Sequence, residues 1–340
     1  MPEPGTTPRT VLLLPGQGSQ YPRMGAGLYG HEPCFTASMD DFFADFGAAG
    51  GPAAELRGVW LGTAPGPHAR AAASVDEARF AQPLLYAVGI ALGRVLAAHG
   101  ARPDVLLGHS VGELAAASLG GVLDPRDGAR VMGARGRLID LIPPGGMLAV
   151  AAAPERMAAY TGSEVVIGAV NGPRQTVLAG PRAPLREVEL ALRADGITCR
   201  AVGGDRPFHS PAAQAAADAF GRVLAAVPLR TPATPIQSSA TAAPVTPAQA
   251  TRPGFWAGQI AGPVLYWTAL SALLADPYAW RLVEAGPGHQ MATPARLHRA
   301  VRRGGGTVTT LLPAEPGPPE RDRDHLARAL EQLSGVRQRS

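Results

Sequence analysis

The sequence has no lysine, so the 31 lysine and arginine positions are all arginines, and it has only one asparagine. These arginines are dispersed along the chain, and the formal net charge is only +4. A basic stripe for nucleic acid is therefore not indicated, and we expect no nucleic-acid partner. The two cysteines, Cys34 and Cys199, are too few for a disulfide framework or a cysteine-based metal cluster. We accordingly expect no metal site.

Long apolar runs are also scarce. We find no run of the roughly 18–20 residues that a membrane span needs, and therefore expect no membrane partner. The apolar block Val11–Leu14 is too short for a signal peptide, which favours a cytoplasmic location. A length of 340 residues is enough for about two domains.

One stretch carries the strongest chemical signal. The apolar tripeptide Val105–Leu107 leads into Gly-His-Ser-Val-Gly, with Ser110 at the centre, and an alanine-rich helical pattern follows directly. This is the strand–turn–helix context of a nucleophile elbow, in which glycines leave room for a sharp turn. Ser110 would then be exposed at a helix N-terminus, where free N–H groups favour developing negative charge. The alternative is a tight turn with an incidental serine.

A second glycine-containing loop, Pro15–Gln20, follows a predicted strand at Thr10–Leu14. It lacks the Gly-x-Gly-x-x-Gly pattern and the Lys-Ser/Thr pair, so it supports neither a dinucleotide site nor a Walker-type phosphate site. Backbone N–H groups of an oxyanion hole commonly come from such a second loop near the elbow. An ordinary turn is the alternative.

Between the glycine pairs at 145–146 and 203–204, the pattern of the chain changes. Predicted elements follow one another as strand, helix, strand, strand, helix and strand, the order of a ferredoxin-like unit. We therefore predict an α/β protein in which residues 10–144 and 205–313 form a large hydrolase-like subdomain with a parallel sheet. Residues 145–204 would form a small inserted subdomain, and 314–340 a linker with a C-terminal helix that begins at Asp324.

A nucleophilic serine needs a general base, usually histidine. The sequence has eight histidines. His109 adjoins the serine, so its side chain should diverge from it, and five others lie in polar or terminal stretches typical of the surface. His209 and His289 remain, each in a Gly/Pro-bounded loop before a helix. The chain order of α/β-hydrolases would choose His289, with Asp276 or Glu284 as the acid. The residues alone leave the two histidines equal.

Several motifs occur together in one order, and together they are far more specific than the elbow alone. They are Pro15–Gln20, Gly108–Glu113, Arg135–Leu138, Asn171–Pro173 and Phe208–Pro211. Over about residues 10 to 312 the chain resembles the malonyl-CoA:acyl-carrier-protein transacylase family and the acyltransferase domains of polyketide synthases, here as a stand-alone enzyme. In that family a ferredoxin-like subdomain is inserted into a hydrolase-like one.

The resemblance implies a role for each matching position. Ser110 is the nucleophile and His209 its base, oriented by the backbone carbonyl of Gln259. The backbone N–H groups of Gln17 and Val111 form the oxyanion hole. Arg135 grips the carboxylate of a dicarboxylic acyl group, for which a planar guanidinium suits.

The residue before the base, Phe208, resembles the malonyl-type signature, because its ring would crowd an α-methyl group. The chain departs from the family pattern at three places. It has Ala213 where the family usually has methionine, Ile139–Asp140 where the family has Met-Gln, and Leu265 where the family has arginine. Smaller side chains could enlarge the acyl pocket, and Asp140 could repel a second carboxylate or attract an amine. We therefore take Asp140, Ala213 and Asn171 as candidate residues of the acyl pocket.

The implied activity is ping-pong acyl transfer, most simply of malonyl from CoA, through an acyl-serine, to the phosphopantetheine thiol of an acyl carrier protein in polyketide, fatty-acid or antibiotic biosynthesis. No cofactor is needed, and we expect a monomer. Three alternatives remain open. The chain could move an unusual acyl or aminoacyl group between two carriers, act as a serine thioester hydrolase, or bind a carrier protein as an inactive scaffold.

Overall fold

A computed structural model describes residues 8–63, 74–276 and 278–335. The strands are β1 (Arg9–Leu14), β2 (Val105–Gly108), β3 (Gly145–Val150), β4 (Val166–Gly172), β5 (Gln175–Pro181), β6 (Cys199–Val202), β7 (Ile236–Gln237), β8 (Trp280–Glu284) and β9 (Gly306–Thr310). The helices are α1 (Pro33–Ala48), α2 (Ala53–Leu61), α3 (Ala78–Ala98), α4 (Gly112–Leu119), α5 (Pro125–Leu138), α6 (Arg182–Ala194), α7 (Gln214–Leu224), α8 (Pro247–Ala250), α9 (Pro253–Gly258), α10 (Tyr266–Leu273), α11 (Ala292–Leu297) and α12 (Pro319–Gly335). Short 3-10 turns lie at Ile139–Leu141, Pro154–Ala159 and Pro211–Ala213, and a π-helical turn lies at Val301–Gly305.

The larger sheet has five strands in the order β7-β2-β1-β8-β9, all paired in parallel. Leu12 and Leu14 of β1 point into one hydrophobic core and Val11 and Leu13 into another, so both faces of this strand are covered. A continuous apolar run is what a parallel strand buried on both faces requires. The predicted parallel sheet is confirmed, and it brings the ends of β1 and β2, with the loops that follow them, side by side.

The smaller sheet is antiparallel, with strands in the order β4-β5-β3-β6. This is the ferredoxin-like arrangement, in which the first connecting helix is reduced to the 3-10 turn Pro154–Ala159. Helix α6 covers one face through Leu185 and Leu192. The opposite face, which carries Ala149 and Val177, lines a cleft beside Ser110. The predicted small ferredoxin-like subdomain is confirmed as this antiparallel sheet, and its bounds at 145–204 stay a prediction.

The C-terminal helix is longer than the sequence indicates. It begins at Pro319, five residues before the predicted start at Asp324, so the linker is shorter than 314–323. Proline is well suited to the first turn of a helix, which needs no N–H from it. The negative charges of Glu320 and Asp322 in that turn interact favourably with the positive end of the helix dipole. Asp322 also accepts a hydrogen bond from the Gly27 N–H at 3.0 Å, which anchors the helix to the core. Residues 336–340 of the predicted segment lie outside the described residues.

The lack of an unbroken apolar run does not exclude a helix whose average composition is that of a membrane span, and helix α3 is such a helix. Among the described residues it alone has the length and composition of a span. Gln82 and Arg94 interrupt its sequence, which hides its average apolarity from a search for unbroken runs. Within the protein, 89% of its most apolar stretch is buried, as expected of a core helix.

Candidate active site

Ser110 stands in a strained turn between β2 and α4. Its φ is +52°, a left-handed conformation that is uncommon for a residue with a side chain. A Cβ at Gly108 would lie 2.3 Å from the Glu113 nitrogen, and one at Gly112 would lie 2.0 Å from the Leu14 carbonyl oxygen. Both positions therefore need glycine. The structure has the local geometry of a nucleophile elbow, as the sequence predicted.

His209 lies opposite the serine, with its Nε2 atom 2.8 Å from the Ser110 Oγ atom. Its backbone also has a positive φ of +62°. The turn Gln259–Gly262 wraps around it. The His209 N–H donates to the Ile260 carbonyl at 2.8 Å, and the ring Nδ1 is 2.9 Å from the Gly262 carbonyl oxygen. A carbonyl only accepts, so Nδ1 carries the proton and Nε2 is free to accept one from Ser110.

The predicted orienting role of Gln259 needs correction. The carbonyl that accepts from the Nδ1 atom of His209 belongs to Gly262, three residues further along. The Gln259 carbonyl contributes less, although it raises the pKa of His209 in the same direction as the Gly262 carbonyl. Directly after this turn, the Val264 N–H donates to the Gly168 carbonyl at 2.9 Å, which joins the turn to β4. Sequence spacing within four residues cannot distinguish between these carbonyls.

Burial makes His209 a neutral group near pH 7. Its side chain is almost fully shielded from water, which lowers the pKa from 6.5 to about 4, and the nearby charge of Arg135 adds to the effect. The hydrogen bond to Gly262 opposes this shift. An imidazole in this state can take the proton of Ser110 when the hydroxyl attacks.

The Pro15–Gln20 loop packs directly on the elbow. A Cβ at Gly16 would lie 2.6 Å from the His109 carbonyl oxygen and 3.2 Å from the Ser110 Cβ, so only glycine allows this approach. Within the described residues, neither the Gln17 N–H nor the Val111 N–H has a hydrogen-bond partner. Both residues adjoin the reacting centre, and their assignment to an oxyanion hole stays a prediction.

Arg135 of α5 is a buried cation, with 2% of its surface exposed. Its Nε atom donates to Gln82 Oε1 at 2.7 Å, and its guanidinium carbon lies 5.2 Å from the centre of the Phe220 ring. Its Nη1 atom is buried and has no hydrogen-bond partner among the described residues. Burial lowers the pKa to about 10, which still leaves the group charged at neutral pH. An unpaired buried donor on a cation is costly, so this geometry favours an anionic ligand.

A cleft of about 1100 Å³ joins these groups. Strands of the small sheet line it directly, and the large sheet contributes through the loops that follow its strands. Among the residues that line it are Gln17, Gln82, Ser110, Asn171, Phe208 and His209. Arg135 is not in the lining, although Gln82, which is bonded to it, is. The cleft therefore reaches the arginine through its neighbour. Within the described ranges, no three His, Cys, Asp or Glu side chains are grouped as a metal site would require.

The candidate pocket residues have three different outcomes. Asn171 lines the cleft and its Oδ1 lies 2.8 Å from the His109 Nε2 atom, which ties β4 to the elbow. Asp140 lines the mouth, but its side chain is 87% exposed and pairs with Arg206 at 3.5 Å. Asp140 thus lies at the rim of the cleft, where the positive charge of Arg206 compensates its negative charge. Ala213 does not belong to the cleft at all, because it is fully buried in the hydrophobic core.

His289 lines the same cleft and yet has a different partner. Its Nε2 atom lies 2.8 Å from the Leu312 carbonyl oxygen. The carboxylate of Glu284, its suggested acid, accepts hydrogen bonds from the N–H groups of Met291 and Ala292 instead, at the start of α11. The sequence-level tie between the two histidines is resolved in favour of His209 as the partner of Ser110.

Sequence reasoning missed two buried polar groups near the site. Gln82 interrupts the apolar pattern of α3, and a polar residue in such a helix is a signal that it has a specific partner. Glu113, directly after the elbow, accepts hydrogen bonds from Ser238 Oγ at 2.8 Å and from the Ser239 N–H at 2.5 Å. It attaches the elbow helix to the loop after β7. No local pattern indicates the partners of either residue.

Comparison with known proteins gives a consistent result. A profile of the acyl transferase domain matches residues 11–317. A phenolphthiocerol/phthiocerol polyketide synthase protein of Mycobacterium tuberculosis is 34% identical over 328 residues, which are 96% of this chain and 21% of that protein. The chain thus spans about a fifth of the length of this relative.

Two solved structures are similar over nearly the whole chain. The acyl transferase domain of SpnD, in complex with 2-(pent-4-yn-1-yl)malonyl, superimposes with a TM-score of 0.86 at 30% identity, covering 97% of this chain and 77% of that one. The malonyl-CoA:acyl carrier protein transacylase of Xanthomonas oryzae pv. oryzae gives a TM-score of 0.78 at 26% identity, covering 95% and 99%.

Proposed function

The chain belongs to the acyl transferase domain family, and from that membership we propose that it transfers a malonyl group. The donor is a thioester such as malonyl-CoA, the intermediate is an ester on Ser110, and the acceptor is the phosphopantetheine thiol of an acyl carrier protein. The observation that carries this proposal is the 2.8 Å contact between Ser110 Oγ and His209 Nε2, together with the buried guanidinium of Arg135, whose Nη1 atom has no partner among the described residues.

The reaction proceeds in two balanced halves. His209 accepts the proton of Ser110 while Oγ attacks the thioester carbonyl, and the N–H groups of Gln17 and Val111 stabilise the oxyanion. The carbon–sulfur bond then breaks, and the leaving thiolate takes the proton from His209. In the second half, a carrier thiol gives its proton to His209 and attacks the ester, and Ser110 recovers the proton as it leaves. The Gly262 carbonyl keeps a proton on Nδ1 in both the neutral and the protonated ring, so that Nε2 is the nitrogen that exchanges protons.

Two residues support malonyl as the acyl group. The Nη1 atom of Arg135 lacks a partner within the described residues, and a carboxylate would provide one through a charge-assisted hydrogen bond. Phe208 is buried, lines the cleft and precedes the base, where its ring limits the width of the acyl group. The ligand named in the SpnD structure is itself a malonyl derivative.

The proposal includes the division of the chain. Residues 10–144 and 205–313 form the large subdomain, 145–204 the small one, and 314–340 the linker with its helix. The two chain segments that connect the subdomains lie side by side, with the Gly145 N–H donating to the Asp205 carbonyl at 2.9 Å. A carrier protein would deliver its arm to the cleft that both subdomains line, and the chain would act as a monomer.

The experiment is intact-protein mass spectrometry after incubation with malonyl-CoA. We expect one malonyl adduct, mapped to Ser110 and absent from a Ser110→Ala variant, which then passes to a phosphopantetheinylated carrier protein. An adduct that forms only from an acylated carrier would replace CoA with a carrier as donor. Rapid loss of the label to water without a carrier would make the chain a hydrolase. If no thioester forms an adduct, the proposal is contradicted, and the chain would be a scaffold that binds a carrier protein without catalysis.

A further inference from the structure

The side chain of Gln82 connects the two parts of the proposed site. It is 4% exposed, on the buried face of α3. Its Oε1 atom accepts from the Arg135 Nε atom at 2.7 Å, and its Nε2 atom donates to the Gln17 Oε1 atom at 3.0 Å. One amide therefore contacts both the residue proposed to bind the acyl carboxylate and the residue of the loop proposed to bind the oxyanion.

The direction of this chain of hydrogen bonds has only one solution. A guanidinium can only donate, so the atom that faces Arg135 must be the amide oxygen. The amide nitrogen then faces Gln17, whose oxygen must accept. A flip of the Gln82 amide would break both contacts at once. The side chains of Gln17 and Arg135 are thus oriented by the same group.

Arg135 has few other restraints. Besides Gln82, the structure places its guanidinium carbon 5.2 Å from the centre of the Phe220 ring, a contact that by itself does not fix the rotation of the group. The hydrogen bond to Nε supplies that rotation, and it determines where the unpaired Nη1 atom points. Gln82 lines the cleft and Arg135 does not, so an acyl carboxylate in the cleft would reach the arginine beside this amide.

We propose that Gln82 is a positioning residue that couples acyl-group selection to acylation, through its simultaneous contacts with Arg135 and Gln17. This inference rests on the proposed malonyl transfer and extends it to a residue outside the family motifs described above. Gln82 takes no part in bond making. It sets the orientation of the cation that selects the acyl group and of the loop that faces the thioester oxygen.

The test compares Gln82→Leu and Gln82→Glu with wild type, using kcat/KM for acylation by malonyl-CoA and by acetyl-CoA. Leucine removes both contacts at nearly the same volume, and we expect about a tenfold or larger loss with malonyl-CoA and a smaller loss with acetyl-CoA. Glutamate pairs permanently with Arg135 and competes with the acyl carboxylate. We expect it to reverse the preference in favour of acetyl-CoA.

A matched control lies one turn along the same helix. The Tyr86 hydroxyl is buried and lies 2.7 Å from Ser118 Oγ, so Tyr86→Phe removes one buried hydrogen bond without touching Arg135 or Gln17. We expect it to lower stability while leaving the malonyl/acetyl ratio unchanged. A double variant, Gln82→Leu with Arg135→Ala, should lose little more selectivity than Arg135→Ala alone, because both act through one guanidinium.

If the Gln82 variants lose the same factor with both donors, the malonyl/acetyl ratio of kcat/KM stays unchanged. That result would overturn the proposal and assign Gln82 a structural role only. If the leucine variant does not fold, the ratio measured with the glutamate variant decides by the same criterion. Failure of the malonyl proposal is a separate result, since it would appear as wild-type protein that forms no malonyl adduct on Ser110.

Discussion

The loops that carry His209 and His289 are alike in sequence and in backbone. Both are bounded by proline or glycine, both precede a helical turn, and both hold histidine at a positive φ, +62° and +52°. Both rings line the same cleft. Their Nε2 atoms nevertheless lie 2.8 Å from different groups, the Ser110 hydroxyl in one case and the Leu312 carbonyl in the other.

The second loop has a supporting role. A Cβ at Gly286 would lie 2.3 Å from the Pro15 ring, and one at Gly288 would lie 2.5 Å from the Ser19 carbonyl oxygen. The loop around His289 therefore packs against Pro15–Gln20, which carries Gln17. The comparison shows that a strained histidine in a cleft is not enough to identify a base. The partner of its free nitrogen decides the role.

The largest expected effect separates the two histidines. His209→Ala should slow acylation of Ser110 by about 10²- to 10⁴-fold, because a general base contributes that much. His289→Ala should stay within a few-fold of wild type. Single-turnover acylation followed by mass spectrometry measures both. The reverse pattern would exclude His209 as the base.

The supporting role of the His289 loop can be broken without changing the histidine. Gly288→Ala places a methyl group against the Ser19 carbonyl at a φ of +81°, and we expect a loss of about 1–3 kcal/mol in the free energy of unfolding together with slower acylation. Gly304→Ala is the matched control, since Gly304 has the same φ of +81° and nothing within 4 Å of its added Cβ. Equal effects of the two variants would mean that backbone strain alone, and not the contact with Ser19, is responsible.

A smaller effect should follow from removal of the His289 hydrogen bond. His289→Ala leaves the Leu312 carbonyl without its partner, and we expect a loss of about 1 kcal/mol in stability by chemical denaturation. His289→Gln retains a donor and should recover part of this loss. No loss in the alanine variant would show that the contact contributes nothing to stability.

The acylation rate itself should change little with pH. Because burial lowers the pKa of His209 to about 4, the acylation rate should be nearly constant from pH 8 to 5.5. A histidine with the ordinary pKa of 6.5 would lose about tenfold at pH 5.5. A pH–rate profile with its acid limb near 6.5 would contradict the burial of this ring in the working enzyme.

The same group makes stability depend on pH, with a defined sign. In the unfolded chain His209 gains a proton below about pH 6.5, whereas in the folded protein it stays neutral until about pH 4. Its contribution to stability is therefore complete above pH 6.5 and decreases as the pH falls from 6.5 to 4. Between pH 7 and 5, wild type should lose about 1–2 kcal/mol more stability than His209→Gln, as measured by urea unfolding.

Much of the fold follows from local pattern. The apolar run of β1 predicts a strand buried on both faces, and the strand–helix order of 145–204 predicts the ferredoxin-like sheet. Errors occur where a residue has two local interpretations. The sequence pattern assigns Pro319 to a linker although proline also begins helices, and Gln82 and Arg94 conceal the apolar character of α3.

The strand–glycine–serine–glycine–helix pattern is enough to predict the elbow, and the tight turn itself requires Gly108, whereas Gly112 is required by the packing of the distant strand β1 against the turn. Which histidine faces Ser110 depends on tertiary packing, since His209 is 99 residues away along the chain and His289 is further still. Packing also moves the orienting carbonyl from Gln259 to Gly262, places Ala213 in the core and joins Gln82 to Arg135. Such contacts depend on how distant segments meet, and hydrogen-bond partners across a fold leave no periodic trace in a single sequence.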